Sequence, residues 1–187
     1  YALGAVKGVG LAAMQRLVEI RGDQPFFDLG DFARRIDPKA INKRILENLA
    51  AAGAFDEFDR DRARVTASID AIMAQAQRAH AEKSDGQADM FGSSSTPEPL
   101  KGTVVEPWEP ADRLQREFDA IGFFLSGHPL DAYATALERL QVPSWAQFTQ
   151  KVKQGATAGR LAATVLSRSE RKTRTGSKMG VIMLSDA

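Results

Sequence analysis

Residues 5–11 read Ala5-Val6-Lys7-Gly8-Val9-Gly10-Leu11, and the fold follows from how this stretch turns. Two glycines flank one apolar residue, and helical periodicity begins at once. Glycine takes positive φ without steric cost, so Gly8 and Gly10 permit a very tight turn. Val9 between them points inward and pins the turn to a core. Leu11, Met14, Leu17 and Val18 then recur at helical spacing and predict one apolar stripe. Arg21 closes that helix and Gly22 caps it. A helix starting at Gly10 begins with unpaired N–H groups and the positive end of its dipole. Such an end is a socket for a phosphate, and Lys7 sets a cation beside it. Lys7, Gly8, Val9 and Gly10 are therefore candidate backbone-binding residues. The alternative is a plain turn between two packed helices.

The pattern is that of a helix-hairpin-helix, which grips the sugar-phosphate chain without reading bases. The first helix of such a pair is nearly absent here, which predicts a piece of something larger. The 187 residues carry a net charge of only +1, so any nucleic-acid affinity must come from local basic patches. There is no cysteine, which removes disulfides and thiolate metal sites and fits a cytoplasmic protein. No apolar run reaches the length of a membrane span, and no signal-peptide pattern opens the chain.

Further along, Phe26-Phe27-Asp28-Leu29-Gly30-Asp31-Phe32 supplies aromatic surface for a small core. Asp28 or Asp31 caps a short helix to Arg35 or Ile36, and Pro38 breaks it. Asn42 is a good N-cap for a helix from Lys43 to Ala52. Ile41 and Leu46 sit at staple positions, Ile45, Leu46 and Leu49 form the buried face, and Gly53 ends the helix. Lys43 and Arg44 lie in its first turn, where cations oppose the dipole. A phosphate contact offsets that cost; the alternative is a pair of solvated surface charges. A long helix from about Arg60 to Glu82 follows, lined by Val65, Ile69, Ile72, Met73 and Ala76. His80 on it reads as exposed.

From Ser84 to Pro110 the composition turns to Gly, Ser, Thr, Pro and acidic residues, as in a flexible linker. Gln87-Ala88-Asp89-Met90-Phe91 breaks that rule with two large apolar residues side by side. An exposed Met-Phe pair in a tether reads as a docking peptide; the alternative is that Phe91 folds back onto the long helix. Leu114, Phe118 and Ile121 resume a buried helical stripe. In Gly122 to Asp131, Gly127 allows a sharp turn and Pro129 starts a helix. His128 reads as a turn-bonding residue, not a catalytic one. Leu130 to Leu140 then predicts a helix, and Trp145 and Phe148 start another.

After Ala156 the period becomes that of strands. Ala158–Leu166 and Met179–Leu184 are the expected pair, with Arg168, Arg171, Lys172, Arg174 and Lys178 between them and Thr175-Gly176 as the turn. A basic hairpin suits nucleic-acid backbone contact; a solvated tip is the alternative. Two strands make no independent domain, which predicts that the chain stops inside one.

Four blocks in order now resemble a known family. Tyr1 to Gly10 looks like the opening of the helix-hairpin-helix region of the C-family replicative DNA polymerases of bacteria. Asn42-Lys43-Arg44 with Gly53-Ala54-Phe55-Asp56 resembles that family's next block. Gly122 to Leu130 is similar to the segment leading into its OB domain, and the two strands look like that domain's beginning. The resemblance implies a mainly α chain in four parts. These are a duplex-DNA-binding helix-hairpin-helix region over 1–83, a flexible linker over 84–110, a helical connector over 111–154, and the first strands of a truncated OB-fold barrel over 155–187.

It also implies that Lys7 to Gly10 hold duplex phosphate. Gln87, Asp89, Met90 and Phe91 match the family's internal sliding-clamp peptide, Gln-x-Asp/Ser-Leu/Met-Phe, position by position. The family's catalytic aspartates precede Tyr1, so no catalytic residue, metal ligand or cofactor is expected in this piece. Mg2+ is expected for the parent polymerase. Expected partners are duplex DNA, single-stranded template through the OB domain, the clamp and other replisome subunits, in the cytoplasm at the nucleoid and away from membranes. Two alternatives are an α-like subunit of an error-prone lesion-bypass polymerase and a free-standing helix-hairpin-helix repair or adaptor protein.

Overall fold

The protein is described here by a computed structural model covering residues 2–84 and 103–186. The described chain forms two compact units, Tyr1–Phe124 and Leu125–Ala187. It is mainly helical with one antiparallel strand pair, the class expected. Gln87, Asp89, Met90 and Phe91 lie outside the described residues.

In the first unit, a 3-10 turn over Leu3–Ala5 leads into the hairpin and then α1, Leu11–Arg21, with Gly22 at its end at φ 53°. α2 is Leu29–Arg35, and the Asp28 carboxylate accepts from the Asp31 N–H at 2.6 Å. α3 is Lys43–Ala51, where the Asn42 side chain accepts from the Ile45 N–H at 3.0 Å. Each cap satisfies an N–H that the helix itself leaves open. Gly53 follows α3 at φ 80°, as expected for a glycine helix stop.

The expected long helix is two helices. α4 runs Arg62–Ala67 and α5 Ile69–Ser84, with Ser68 between them. The Asp61 carboxylate caps α4 through the Ala63 and Arg64 amides. The Ser68 hydroxyl donates back to the Arg64 carbonyl at 2.8 Å. Such a back-bond competes with the helical ladder and bends it. Of the predicted stripe, Val65, Ile69, Ile72 and Ala76 are nonetheless buried on both sides of the break and Met73 is half-buried.

The core gathers Val6, Val9, Met14, Phe32, Ile41, Leu46, Leu49, Phe55, Val65, Ile72 and Ile121. Phe26, Phe32 and Phe55 form an edge-to-face row with centroids 5.2 Å apart at each step. α1 differs from its predicted stripe. Ala13 and Met14 are buried, whereas Leu11 and Val18 are mostly exposed. Those two side chains instead line an open apolar groove of about 840 Å³ with Leu3, Phe26 and Phe58.

α6, Pro110–Ile121, belongs to this first unit. Its Glu117 is fully buried and accepts from the Arg62 Nη1 at 2.9 Å. Arg62 also donates to the Asp56 carboxylate and to the Ala51 carbonyl. A buried charge must be paired or it pays a large desolvation cost, and here the pairing ties α4 to α6.

The second unit holds a 3-10 turn over Pro129–Tyr133, α7 Ala134–Arg139, α8 Trp145–Lys153, β1 Thr164–Lys172 and β2 Lys178–Ser185. No side chain described in it is buried. The expected helix over 130–140 is thus a 3-10 turn continued by a short α-helix. His128 has the turn-bonding role expected. Its Nδ1 accepts from the Leu130 N–H while its own N–H donates to Asp131, a reciprocal cap. Ser144 and Gln147 cap α8 in the same reciprocal way.

The strand pair is shifted from expectation. Pairing runs up to the turn at Thr173–Ser177, so Arg168, Arg171 and Lys172 lie within β1 and Lys178 opens β2. Ala158, Gly159, Ala162 and Ala163 are poor strand formers, and a Cβ at Gly159 would meet the Phe148 ring at 2.7 Å. Gly176 at φ 85° makes the turn tight enough to pair the residues beside it.

Candidate nucleic-acid interface

The hairpin is a four-residue turn, closed by the Val9 N–H donating to the Val6 carbonyl at 3.0 Å. Gly8 occupies its third position at φ 73°, where a left-handed conformation favours glycine. Val6 and Val9 are both buried, so the turn is anchored from both sides as Val9's position predicted. The side chain of Val9 faces the core, and only its backbone remains for a ligand.

Gly10 is different. It precedes α1 in ordinary extended conformation, φ −74° and ψ 149°, and a Cβ there would meet no atom within 4 Å. Nothing inside the protein requires glycine at this position. Gly10 also brings no side-chain cap, which leaves the first amides of α1 open to solvent or to an acceptor from outside.

Lys7 is held by its backbone on two sides. Its N–H donates to the Ala120 carbonyl of α6 at 2.8 Å, and its carbonyl accepts from the Asn48 amide of α3 at 2.8 Å. Its exposed side chain passes Gly122 and leaves the ammonium 5.8 Å from the Phe118 ring. That places a cation at the C-terminal end of α6, which its dipole favours.

Of the two cations on α3, the structure brings one to the hairpin. Arg44 is exposed, and its Nε lies 3.9 Å from where a Cβ of Gly8 would stand. Lys43 instead bonds Asp70 at 2.6 Å, and that hydrogen bond raises its pKa. Arg44 therefore stands beside Gly8, Lys7's ammonium lies toward Gly122 and Phe118, and Lys43 is engaged with Asp70. Asn48 was not singled out from the sequence. The signal was its place four residues after Arg44, one turn along the same face of α3.

In the second unit the basic residues do not share a face. Cross-strand partners lie on the same side of a sheet, and sides alternate along a strand. Arg168 and Lys172 pair with Ile182 and Lys178 on one side, and Arg171 pairs with Met179 on the other. Glu170 lies between the first group and bonds Lys178 at 3.0 Å. Arg174 is exposed in the turn. Among the described residues no cluster of carboxylates and histidines is arranged to hold a metal, and no helix is long and apolar enough to cross a membrane.

The hairpin and the helix after it lie in the region matched by the family model described as "Helix-hairpin-helix motif", residues 1–65. The whole chain in turn matches DNA polymerase III subunit alpha. It is similar to that subunit from Caulobacter vibrioides at 42% identity, from Bacillus subtilis at 33% and from Escherichia coli K12 at 33%, each covering 100% of this chain. The chain spans only 16% of the length of these relatives.

Proposed function

We propose that the chain is a non-catalytic portion of a replicative DNA polymerase that holds duplex DNA and the sliding clamp. The observation that carries the first part is the hairpin: at Gly10 a glycine that the protein's interior does not need, beside open helix amides, in a turn that carries Lys7 and has Arg44 next to Gly8. A phosphate seated at Gly10 would meet the open backbone N–H groups of the helix start, with the exposed cations of the hairpin and α3 adding a positive field. Such a grip follows the duplex as it is made and reads no sequence. Lys43 contributes to the outer field through its exposed position, and Gly8 and Val9 shape the turn.

The clamp-binding part rests on the match of Gln87, Asp89, Met90 and Phe91. The Gln amide bonds at a rim while Met90 and Phe91 fill an apolar pocket of the ring. Tethering makes that second contact intramolecular and raises its effective concentration. The strand pair begins an OB-fold domain, and Arg168, Arg171, Lys172, Arg174 and Lys178 approach template strand from two faces of it. Mg2+ and the reaction belong to the catalytic part of the whole protein, which works in the cytoplasm.

Equilibrium binding to a labelled duplex across a salt series tests the DNA reading. Affinity falls linearly on a log–log plot and is insensitive to sequence, and Lys7→Ala or Arg44→Ala lowers the slope by about 0.9 each. Strong sequence preference with a flat salt response refutes it. For the clamp, Met90→Ala with Phe91→Ala abolishes ring binding and leaves duplex binding intact; survival of ring binding refutes the peptide.

A further inference from the structure

We propose that Asn48 is a positioning residue for duplex binding: its side-chain amide holds the Lys7–Gly8 peptide so that the hairpin presents its backbone to phosphate. The proposal rests on the DNA reading above. The Asn48 Nδ2 donates to the Lys7 carbonyl at 2.8 Å across 41 residues of sequence. The same nitrogen stands 2.9 Å from where a Cβ of Gly8 would be, so the amide also fills the space that the glycine leaves. On the opposite side the Lys7 N–H is fixed to the Ala120 carbonyl. One peptide segment is thus spanned between α3 and α6, and its two pegs differ in kind. The Ala120 peg is backbone and follows from the fold alone. The Asn48 peg is a side chain, so a substitution removes it while the backbone bond to Ala120 is retained. Arg44 lies one turn before Asn48 and next to Gly8, so the residue that fixes the turn shares a face with a cation that would meet the ligand.

A carbonyl bonded by Asn48 polarises its own peptide, so the Gly8 amide reports the contact directly. In the whole protein, Asn48→Ala shifts the Gly8 15N resonance and weakens duplex binding about three- to tenfold, the worth of one hydrogen bond. The slope against log salt stays at its original value, because Asn48 carries no charge. Asn48→Gln keeps the donor and recovers most of the affinity. The proposal is overturned if Asn48→Ala binds like the original protein, or if Asn48→Gln is as weak as Asn48→Ala. Failure of the DNA reading looks different: the unaltered protein then ignores duplex, while Asn48→Ala still shifts the Gly8 resonance.

Discussion

Replacing Gly10 with alanine separates the needs of the fold from those of a ligand. At φ −74° and ψ 149° alanine is fully allowed, and its methyl meets nothing within 4 Å. Lower entropy of the unfolded chain favours alanine by about 0.4–1 kcal/mol. Alanine is a poorer N-cap than glycine by a comparable amount, so the two effects nearly cancel. Gly8→Ala makes the contrast. It forces a side chain into the left-handed region at φ 73°, costing about 1–2 kcal/mol, and it meets the Asn48 amide at 2.9 Å. Urea unfolding should therefore leave Gly10→Ala near the original stability and lower that of Gly8→Ala. Duplex binding should reverse the apparent severity for Gly10. A methyl on the approach side lifts the phosphate off the helix amides, and losing one hydrogen bond to a charged group is worth about 1.5–3 kcal/mol. That is roughly a 10- to 100-fold loss of affinity, read by fluorescence anisotropy at fixed salt. If Gly10→Ala is stable and binds duplex undiminished, no phosphate sits there.

Two further outcomes concern stability. Glu117→Ala leaves the buried Arg62 guanidinium short of one carboxylate, and breaking such a pair costs about 3–5 kcal/mol in urea unfolding; Glu117→Gln, which keeps an acceptor, should cost clearly less, and equal losses would refute the pairing argument. The hydrogen bond from Arg64 holds the Asp59 carboxyl below its ordinary value of 3.8. A depressed carboxylate stabilises the fold above its unfolded pKa and loses that contribution as pH falls through the folded one. The stability gap between the original protein and Asp59→Asn should thus narrow on acidification below about pH 4, and a gap constant down to pH 2 would contradict it.

Local features were legible because neighbours in sequence decide them. Asp28 and Asn42 cap the helices they precede, Gly22 and Gly53 stop the helices before them, and the inward valine of the hairpin is buried as its spacing required. The break at Ser68 was hidden inside an unbroken apolar period, since its stripe continues through both helices. Nothing local in the sequence marks Glu117 as buried, because its partner Arg62 is 55 residues away. At the interface, Gly8 and Gly10 looked equivalent in sequence. The backbone angles divide them into one glycine that the turn demands and one it does not. The hairpin turn stands at Thr175-Gly176 as read, but the strand limits were misplaced because the charged residues beside it read as loop although they pair across the hairpin.

The return of α6 to the first unit bears on how the protein tolerates damage. Its bonds to Lys7 and Arg62 are non-covalent and independent of the polypeptide running from 84 to 103. A nick in that stretch would leave two fragments that still complement one another.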